Sequence, residues 1–112
     1  MSQLTTHILD TTLGKPAQGV AIFLEQKSAD SWKKIANGIT NADGRIADLL
    51  PKEKIMEQGI YRMTFDTASY FNFQNKKTFY PSVTIEFEVS DTSHYHVPLL
   101  LNPYVYSTYR GS

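Results

Sequence analysis

The chain contains no cysteine, and this absence excludes several kinds of chemistry at once. Without Cys in its 112 residues, disulfide bonds, thiolate nucleophiles and cysteine metal ligands are ruled out. No apolar run is long enough to span a membrane, and the first residues lack the charged and apolar segments that direct secretion. We therefore expect a cytoplasmic protein with no membrane partner. A periplasmic location is the alternative if a signal peptide has been removed before residue 1.

An excess of charge of either sign is also absent. The 11 Lys and Arg residues balance 11 Asp and Glu residues, so the net charge is zero with neutral histidines. A balanced charge gives no general attraction for nucleic acid, but it is compatible with self-association. There is no glycine-rich phosphate loop before a helix and no Gly-x-Ser-x-Gly nucleophile. We expect no nucleic-acid partner.

Short alternating segments separated by turn residues are what the chain has most of, and this pattern is typical of an all-β sandwich. Strands are predicted at residues 4–9, 20–25, 32–40, 45–49, 60–65, 83–89, 94–101 and 104–109. A loop is expected at 11–17 and a tight turn at 41–44. One short helix is predicted at 66–72, capped by Asp66, in preference to a helix at 52–58.

Two histidines, His94 and His96, stand one residue apart near the end of the chain. Side chains two residues apart on a strand share a face, so both rings share one face with Pro98. The core face is expected to carry Tyr95, Val97, Leu99 and Leu101. Three interpretations are open: exposed histidines at a sheet edge, a metal site with His7 as third ligand, and acid–base catalysis by imidazole groups with pKa values near ~6.5.

Other polar side chains could act with these histidines. His7 lies on the first predicted strand, on the face opposite Ile8. Arg45 is expected to open a short strand at a sheet edge, either as a solvated surface group or as a fixed donor for an oxyanion. Residues 106–112 form either an edge strand with a flexible tail or part of a pocket wall, where Gly111 would let the backbone bend.

Taken together, these segments resemble the transthyretin/5-hydroxyisourate hydrolase family over nearly the whole chain. The resemblance rests on residues 4–10 with 14–17, 40–45, 79–81, 94–101 and 106–112, the last of which ends in Tyr-Arg-Gly-Ser. The chain departs from the family at Asn102, where many members have Ser, and at Val105, where many have Gly.

The resemblance implies a single transthyretin-like hydrolase domain over residues 1–112. Its fold would be all-β, a two-sheet transthyretin-like (prealbumin-like) β-sandwich with about eight strands and one short helix. The implied assembly is a homotetramer, a dimer of dimers, with the sites at the dimer–dimer interface. The implied partner is the small-molecule substrate 5-hydroxyisourate.

The implied function is hydrolysis of 5-hydroxyisourate to 2-oxo-4-hydroxy-4-carboxy-5-ureidoimidazoline in urate breakdown. Water would attack a ring amide carbonyl with help from histidine, without a metal or other cofactor. Family active-site positions fall on His7, Arg45, His96 and Ser112, which are thereby implied to be catalytic. The residues implied to bind substrate are His7, Arg45, Tyr109, Arg110, Gly111 and Ser112.

Two other classes of function remain alternatives. A transthyretin-like carrier would bind a small aromatic ligand without turnover, although a carrier of apolar ligands has no need for two histidines, an arginine and a serine together. A metal-binding module would instead use His7, His94 and His96.

Overall fold

Two four-stranded sheets form the molecule in the computed structural model, which describes residues 2–111. The first sheet has the order β2-β1-β7-β8 and the second the order β4-β3-β5-β6. The elements within those residues are β1 (Leu4–Asp10), β2 (Lys15–Pro16), β3 (Ala21–Ser28), β4 (Ser31–Ile39), β5 (Gly59–Phe65), α1 (Thr67–Phe73), β6 (Val83–Val89), β7 (Tyr95–Asn102) and β8 (Val105–Thr108). The predicted two-sheet β-sandwich with about eight strands and one short helix is confirmed.

The core lies between the sheets because β1, β3, β5 and β7 each bury apolar side chains on one face. On β7 the four side chains predicted to face the core are all buried: Tyr95, Val97, Leu99 and Leu101. On β1, Leu4 and Ile8 are buried, whereas His7 is only partly covered. The alternation therefore leaves the histidines on the outer face of the first sheet. No helix within residues 2–111 is long and apolar enough to cross a membrane.

The helix lies where the Asp66 cap predicted it. The Asp66 carboxylate accepts a hydrogen bond from the Ser69 backbone N–H at 3.1 Å, which satisfies a donor left free at the helix start. Phe71 is fully buried and packs the helix against the core. No helix forms at the alternative position, residues 52–58.

The predicted strand at residues 45–49 is wrong. Asp48 has a φ of 55°, a left-handed conformation that a strand does not accommodate. Leu49 and Leu50 enter the core from a loop instead. Arg45 therefore begins a loop rather than an edge strand. A smaller difference is β2, a two-residue strand within the predicted loop 11–17.

The β7–β8 hairpin explains one of the two departures from the resembled family. The Asn102 side-chain carbonyl accepts hydrogen bonds from the backbone N–H groups of Tyr104 and Val105, both at 2.9 Å. An Asn that bonds to the backbone two residues on favours a turn. Asn102 thus closes the hairpin that carries the C-terminal segment. Nothing in the structure explains the choice of Val105, which is exposed.

A buried hydrogen bond anchors the end of β1 to α1. Asp10 is fully buried, and its carboxylate accepts a hydrogen bond from the Tyr70 hydroxyl at 2.7 Å. The same carboxylate accepts the backbone N–H groups of Thr12 and Leu13, both at 3.0 Å. Burial, followed by the bond to Asp10, raises the pKa of Tyr70 to about 12, so the hydroxyl remains a donor throughout the neutral range.

Replacing Tyr70 with Phe is expected to lower the free energy of unfolding by about 1–3 kcal/mol, because a buried carboxylate loses a hydrogen-bond donor. Urea denaturation measures this loss. Tyr104→Phe is the matched control, since Tyr104 is exposed and its unfolding free energy should change by less than about 0.5 kcal/mol. Equal stability of the two variants would contradict a structural role for the bond.

Candidate active site

His7 and His96 come together because β1 and β7 run parallel side by side. In this register Thr5 lies opposite His96 and His7 opposite Pro98. Since alternate residues share a face, both histidines project from the outer face of the first sheet, on neighbouring strands. The sequence predicted the face for each strand, but not that the two strands are neighbours.

The Thr5 hydroxyl joins two histidines, His96 of β7 and His94, which precedes that strand. Its Oγ1 lies 2.8 Å from His96 Nδ1 and 2.9 Å from His94 Nε2. The two rings are nearly parallel, with centroids 6.3 Å apart and an interplanar angle of 19°. One hydroxyl therefore holds both imidazoles in fixed orientations, and the free nitrogen of His96 is Nε2.

Gly111 packs directly on the His96 ring. Its backbone N–H donates to the His96 carbonyl at 2.9 Å, and this pairing extends the β7–β8 contact beyond the end of β8. A Cβ atom at position 111 would lie 2.5 Å from His96 Cδ2, which is closer than nonbonded carbon atoms can approach. Glycine is needed here for close approach to the ring. The predicted backbone bend is not the reason, because the glycines with positive φ are at 14, 19, 44 and 59.

Arg45 is placed beside His7 by a tight turn. The Asn41 side-chain carbonyl accepts the backbone N–H groups of Asp43 at 2.9 Å and Arg45 at 3.1 Å. The turn docks on β1 because the Ile8 N–H donates to the Gly44 carbonyl at 2.9 Å. Gly44 has a φ of 72°, and a Cβ there would lie 2.5 Å from the Ile8 carbonyl oxygen, so only glycine fits.

The Arg45 side chain is exposed, and its positive charge lowers the pKa of both His7 and His96. In residues 2–111 the only salt bridge joins Arg62 and Glu25, so no carboxylate of this part of the chain neutralises Arg45. An arginine whose backbone is fixed and whose guanidinium group has no carboxylate partner can bind an anionic or electron-rich ligand.

The surroundings lower the pKa of both histidines below the ordinary value of 6.5. For His7 the causes are burial first and then the positive charge of Arg45, with the Asp43 backbone carbonyl and carboxylate acting in the opposite direction. For His96 they are burial, then Arg45, then the other two histidines, with the Thr5 backbone carbonyl acting in the opposite direction. Both imidazoles are therefore mostly neutral at pH 7, the form that accepts a proton.

We expect Arg45→Gln to raise the pKa of both His7 and His96, because it removes a positive charge that disfavours imidazolium. NMR titration of the ring C2–H signals measures this directly, since the chain has only three histidines. Arg45→Lys keeps the charge and serves as the control, with midpoints near those of the wild type. Unchanged midpoints in Arg45→Gln would show that Arg45 does not act on the histidines.

The C-terminal residues follow the edge of the sandwich. Tyr109 and Arg110 form part of the wall of a cavity of about 350 Å³, which His96 also lines. The Arg110 guanidinium lies 4.3 Å from the centre of the Tyr95 ring and donates to the Ser93 hydroxyl at 3.2 Å. Arg110 thus fastens the C-terminal segment to the sandwich, and its part in substrate binding stays a prediction. Ser112 lies outside the described residues.

Sequence reasoning missed three residues that build this site. Thr5 orients two histidines, Asn41 shapes the turn before Arg45, and Gly44 lets that turn approach β1. The Asn-x-Asp-Gly pattern signals a turn, but not where it docks. A threonine on a strand carries no signal of its own.

A three-histidine metal site, the alternative suggested by sequence, would need a ligand geometry that is not found. Within residues 2–111 no group of three or more His, Asp or Glu side chains is arranged to hold a metal ion. The bridging of His94 and His96 by Thr5 instead ties one nitrogen of each ring to a hydroxyl.

The chain is similar to one protein family and, within that family, to proteins of two classes. The sequence model of the HIUase/Transthyretin family matches residues 4–111. The 5-hydroxyisourate hydrolase of Salmonella dublin is 51% identical over 110 residues, which span 97% of this chain and 80% of that protein.

Solved structures of both classes superimpose on the chain. The 5-hydroxyisourate hydrolase of Klebsiella pneumoniae does so with a TM-score of 0.88 and 37% identity, and 100% of each chain is covered. Sea bream transthyretin in complex with thyroxine gives a TM-score of 0.91 and 36% identity, with 97% of this chain and 94% of that chain covered. The fold is thus shared by a hydrolase and a thyroxine-binding protein, and only the side chains of the site can separate them.

Proposed function

The chain belongs to the HIUase/Transthyretin family, and we propose that it is the hydrolase rather than the carrier of that family. It is an enzyme that hydrolyses 5-hydroxyisourate, giving 2-oxo-4-hydroxy-4-carboxy-5-ureidoimidazoline in urate breakdown. The observation that carries this proposal is the grouping of His7, His96 and Arg45 on one face, with both imidazoles held mostly neutral at pH 7. The 51% identity to a 5-hydroxyisourate hydrolase points the same way.

The chemistry of ring opening matches this set of groups. The oxygen of water adds to a ring amide carbonyl, the carbonyl carbon–nitrogen bond breaks, and the departing nitrogen takes up a proton. The step needs a base for water, an acid for nitrogen and a donor for the oxyanion. A neutral imidazole that removes the proton from water becomes the imidazolium that can return it to nitrogen.

The roles divide by position. His7 and His96 form the pair that positions water, deprotonates it and transfers its proton, a contribution of about 10²–10⁴-fold per proton transfer. Arg45 orients the planar, polar ring and stabilises negative charge as it develops on the carbonyl oxygen. Ser112 is proposed to bind the water or the substrate through a hydrogen bond, and Tyr109 and Gly111 to line the substrate pocket beside it.

Every role in this mechanism is taken by a protein side chain: imidazole, guanidinium or the Ser112 hydroxyl. We therefore propose catalysis without a metal or other cofactor. The expectations of a cytoplasmic location, and of neither nucleic-acid nor membrane partners, stay predictions.

The homotetramer is proposed on the exposure of the site. Arg45 is exposed, and His7 and His96 are only half-buried on the outer face of the first sheet, whereas this chemistry is favoured where water is excluded. A second subunit lying across this face would close the site, as in a dimer of dimers with the sites at the dimer–dimer interface. Sedimentation of the purified protein measures the assembly, and a monomer with full activity would contradict it.

The carrier function is the second candidate, because sea bream transthyretin with bound thyroxine has the same fold. A carrier site for an apolar ligand gains nothing from two neutral histidines beside an unpaired arginine. Those polar groups would be desolvated without a partner, which costs binding energy.

The experiment is a spectroscopic assay on freshly generated 5-hydroxyisourate, in which the substrate and product bands are both followed. We expect loss of the substrate band and growth of the product band at a rate proportional to enzyme, with the same rate after treatment with a chelator. Binding of substrate without faster decay would favour the carrier, and loss of activity with the chelator would contradict metal independence.

A further inference from the structure

His94 has no role in the mechanism proposed above, although the structure fixes it as firmly as His96. Its Nε2 lies 2.9 Å from the hydroxyl of Thr5, and the same hydroxyl lies 2.8 Å from His96 Nδ1. Because β1 and β7 pair in parallel with Thr5 opposite His96, the hydroxyl is within hydrogen-bond distance of the rings of both His94 and His96. Three side chains thus form one continuous hydrogen-bonded row.

The number of hydrogens in this row restricts the tautomers. A threonine hydroxyl has one hydrogen, so it donates to one ring and accepts an N–H from the other. In the first arrangement His96 carries its proton on Nδ1 and donates to Thr5, which donates to His94 Nε2. In the second the direction is reversed, and His96 carries its proton on Nε2. The tautomer of His94 therefore determines which ring nitrogen of His96 has a free lone pair.

Only the first arrangement makes His96 a base toward substrate. His96 Nδ1 is occupied by Thr5, whereas no hydrogen bond to its Nε2 comes from residues 2–111. A ring that accepts the proton of water at Nε2 must hold its own proton on Nδ1.

We propose that His94 and Thr5 are positioning residues that together hold His96 in its Nδ1–H tautomer, so that Nε2 is the proton acceptor. This inference rests on the proposed function for its effect on rate, but not for its effect on the tautomer. His94 Nε2 accepts from the Thr5 hydroxyl, and that hydroxyl accepts from His96 Nδ1–H. The hydrogen bond made by one ring nitrogen of a histidine determines which nitrogen carries the proton, and therefore which nitrogen can accept another.

The decisive variant is Thr5→Val, which removes the hydroxyl but keeps the branched shape that suits a strand. We expect kcat to fall about 10- to 100-fold, as when the hydrogen-bond partner that orients a metal-bound histidine is removed, with little change in KM. Thr5→Ser keeps the hydroxyl and should restore most of kcat.

The matching pair of variants is at His94. His94→Leu should lower kcat as Thr5→Val does, and His94→Gln, which keeps an acceptor, should lower it less.

The second readout is the ¹⁵N NMR spectrum of the His96 ring, which distinguishes an N–H nitrogen from one with a free lone pair. Wild-type protein should have the proton on Nδ1, and Thr5→Val should shift the population toward Nε2–H. The double variant Thr5→Val/His94→Leu should be no slower than either single variant, because both act on one row of hydrogen bonds.

These two readouts separate the inference from the proposed function. If wild-type protein does not hydrolyse 5-hydroxyisourate but Thr5→Val still shifts the tautomer, the proposed function fails and the tautomer control stands. If wild-type protein is active and folded Thr5→Val has the wild-type tautomer, the inference is overturned, whatever its rate.

Discussion

Replacing His96 with Ala is expected to lower kcat for 5-hydroxyisourate by about 10²–10⁴-fold, because the ring that accepts the proton of water is lost. The protein should remain folded, since His96 projects from the outer face of the first sheet while the opposite face of β7 forms the core. Stopped-flow assays on fresh substrate measure kcat and KM separately. KM should change less, because Arg45 still orients the substrate.

His94→Ala is the matched control for this prediction. The two histidines lie on the same face of the same segment, but His94 reaches the substrate only through Thr5 and His96. We expect the loss in His94→Ala to be smaller than in His96→Ala, about 10- to 100-fold. A rate in His96→Ala close to that of wild type would remove His96 from the mechanism, and a larger loss in His94→Ala would exchange their roles.

The second large effect is expected from Gly111→Ala, one methyl group at the edge of the site. A Cβ at this position would lie 2.5 Å from His96 Cδ2, which adjoins the reactive Nε2. Either the ring or the C-terminal segment must move, and a displacement of about 1 Å at a reacting group can cost about 10²-fold in rate. We expect kcat to fall by that order, with a nearly unchanged unfolding temperature.

Gly19→Ala is the control, because it strains the backbone at a position away from His96. Gly19 has a φ of 87° and no atom within 4 Å of an added Cβ, so alanine would strain the backbone without touching His96. The free energy of unfolding should fall by about 1–2 kcal/mol, while kcat stays at the wild-type value. Wild-type kcat in Gly111→Ala would mean that the contact with His96 has no part in catalysis.

Much of the fold could be predicted from local patterns. The two-residue spacing of Tyr95, Val97, Leu99 and Leu101 predicts the buried face of β7, and the Asp66 cap predicts the helix. Both are properties of consecutive residues, which the period of a strand or the start of a helix determines.

The candidate site could be predicted only in part, because its geometry comes from residues far apart in the chain. The parallel pairing of β1 with β7 brings Thr5 to His96 across 91 positions, and no short-range pattern contains that register. The sequence predicts a strand at residues 45–49, but the left-handed conformation of Asp48 breaks it, and the loop places Leu49 and Leu50 in the core. Family resemblance supplied His7, Arg45 and His96, and the structure added Thr5 and Gly44.

The most direct test of the central proposal, ring opening by water, is the mass of the product formed by wild-type protein in H₂¹⁸O. Catalysed hydrolysis predicts one ¹⁸O atom in the new carboxylate for each turnover, at a rate well above that of the reaction without protein. Product without the label, or bound substrate that decays no faster than in buffer, would contradict it.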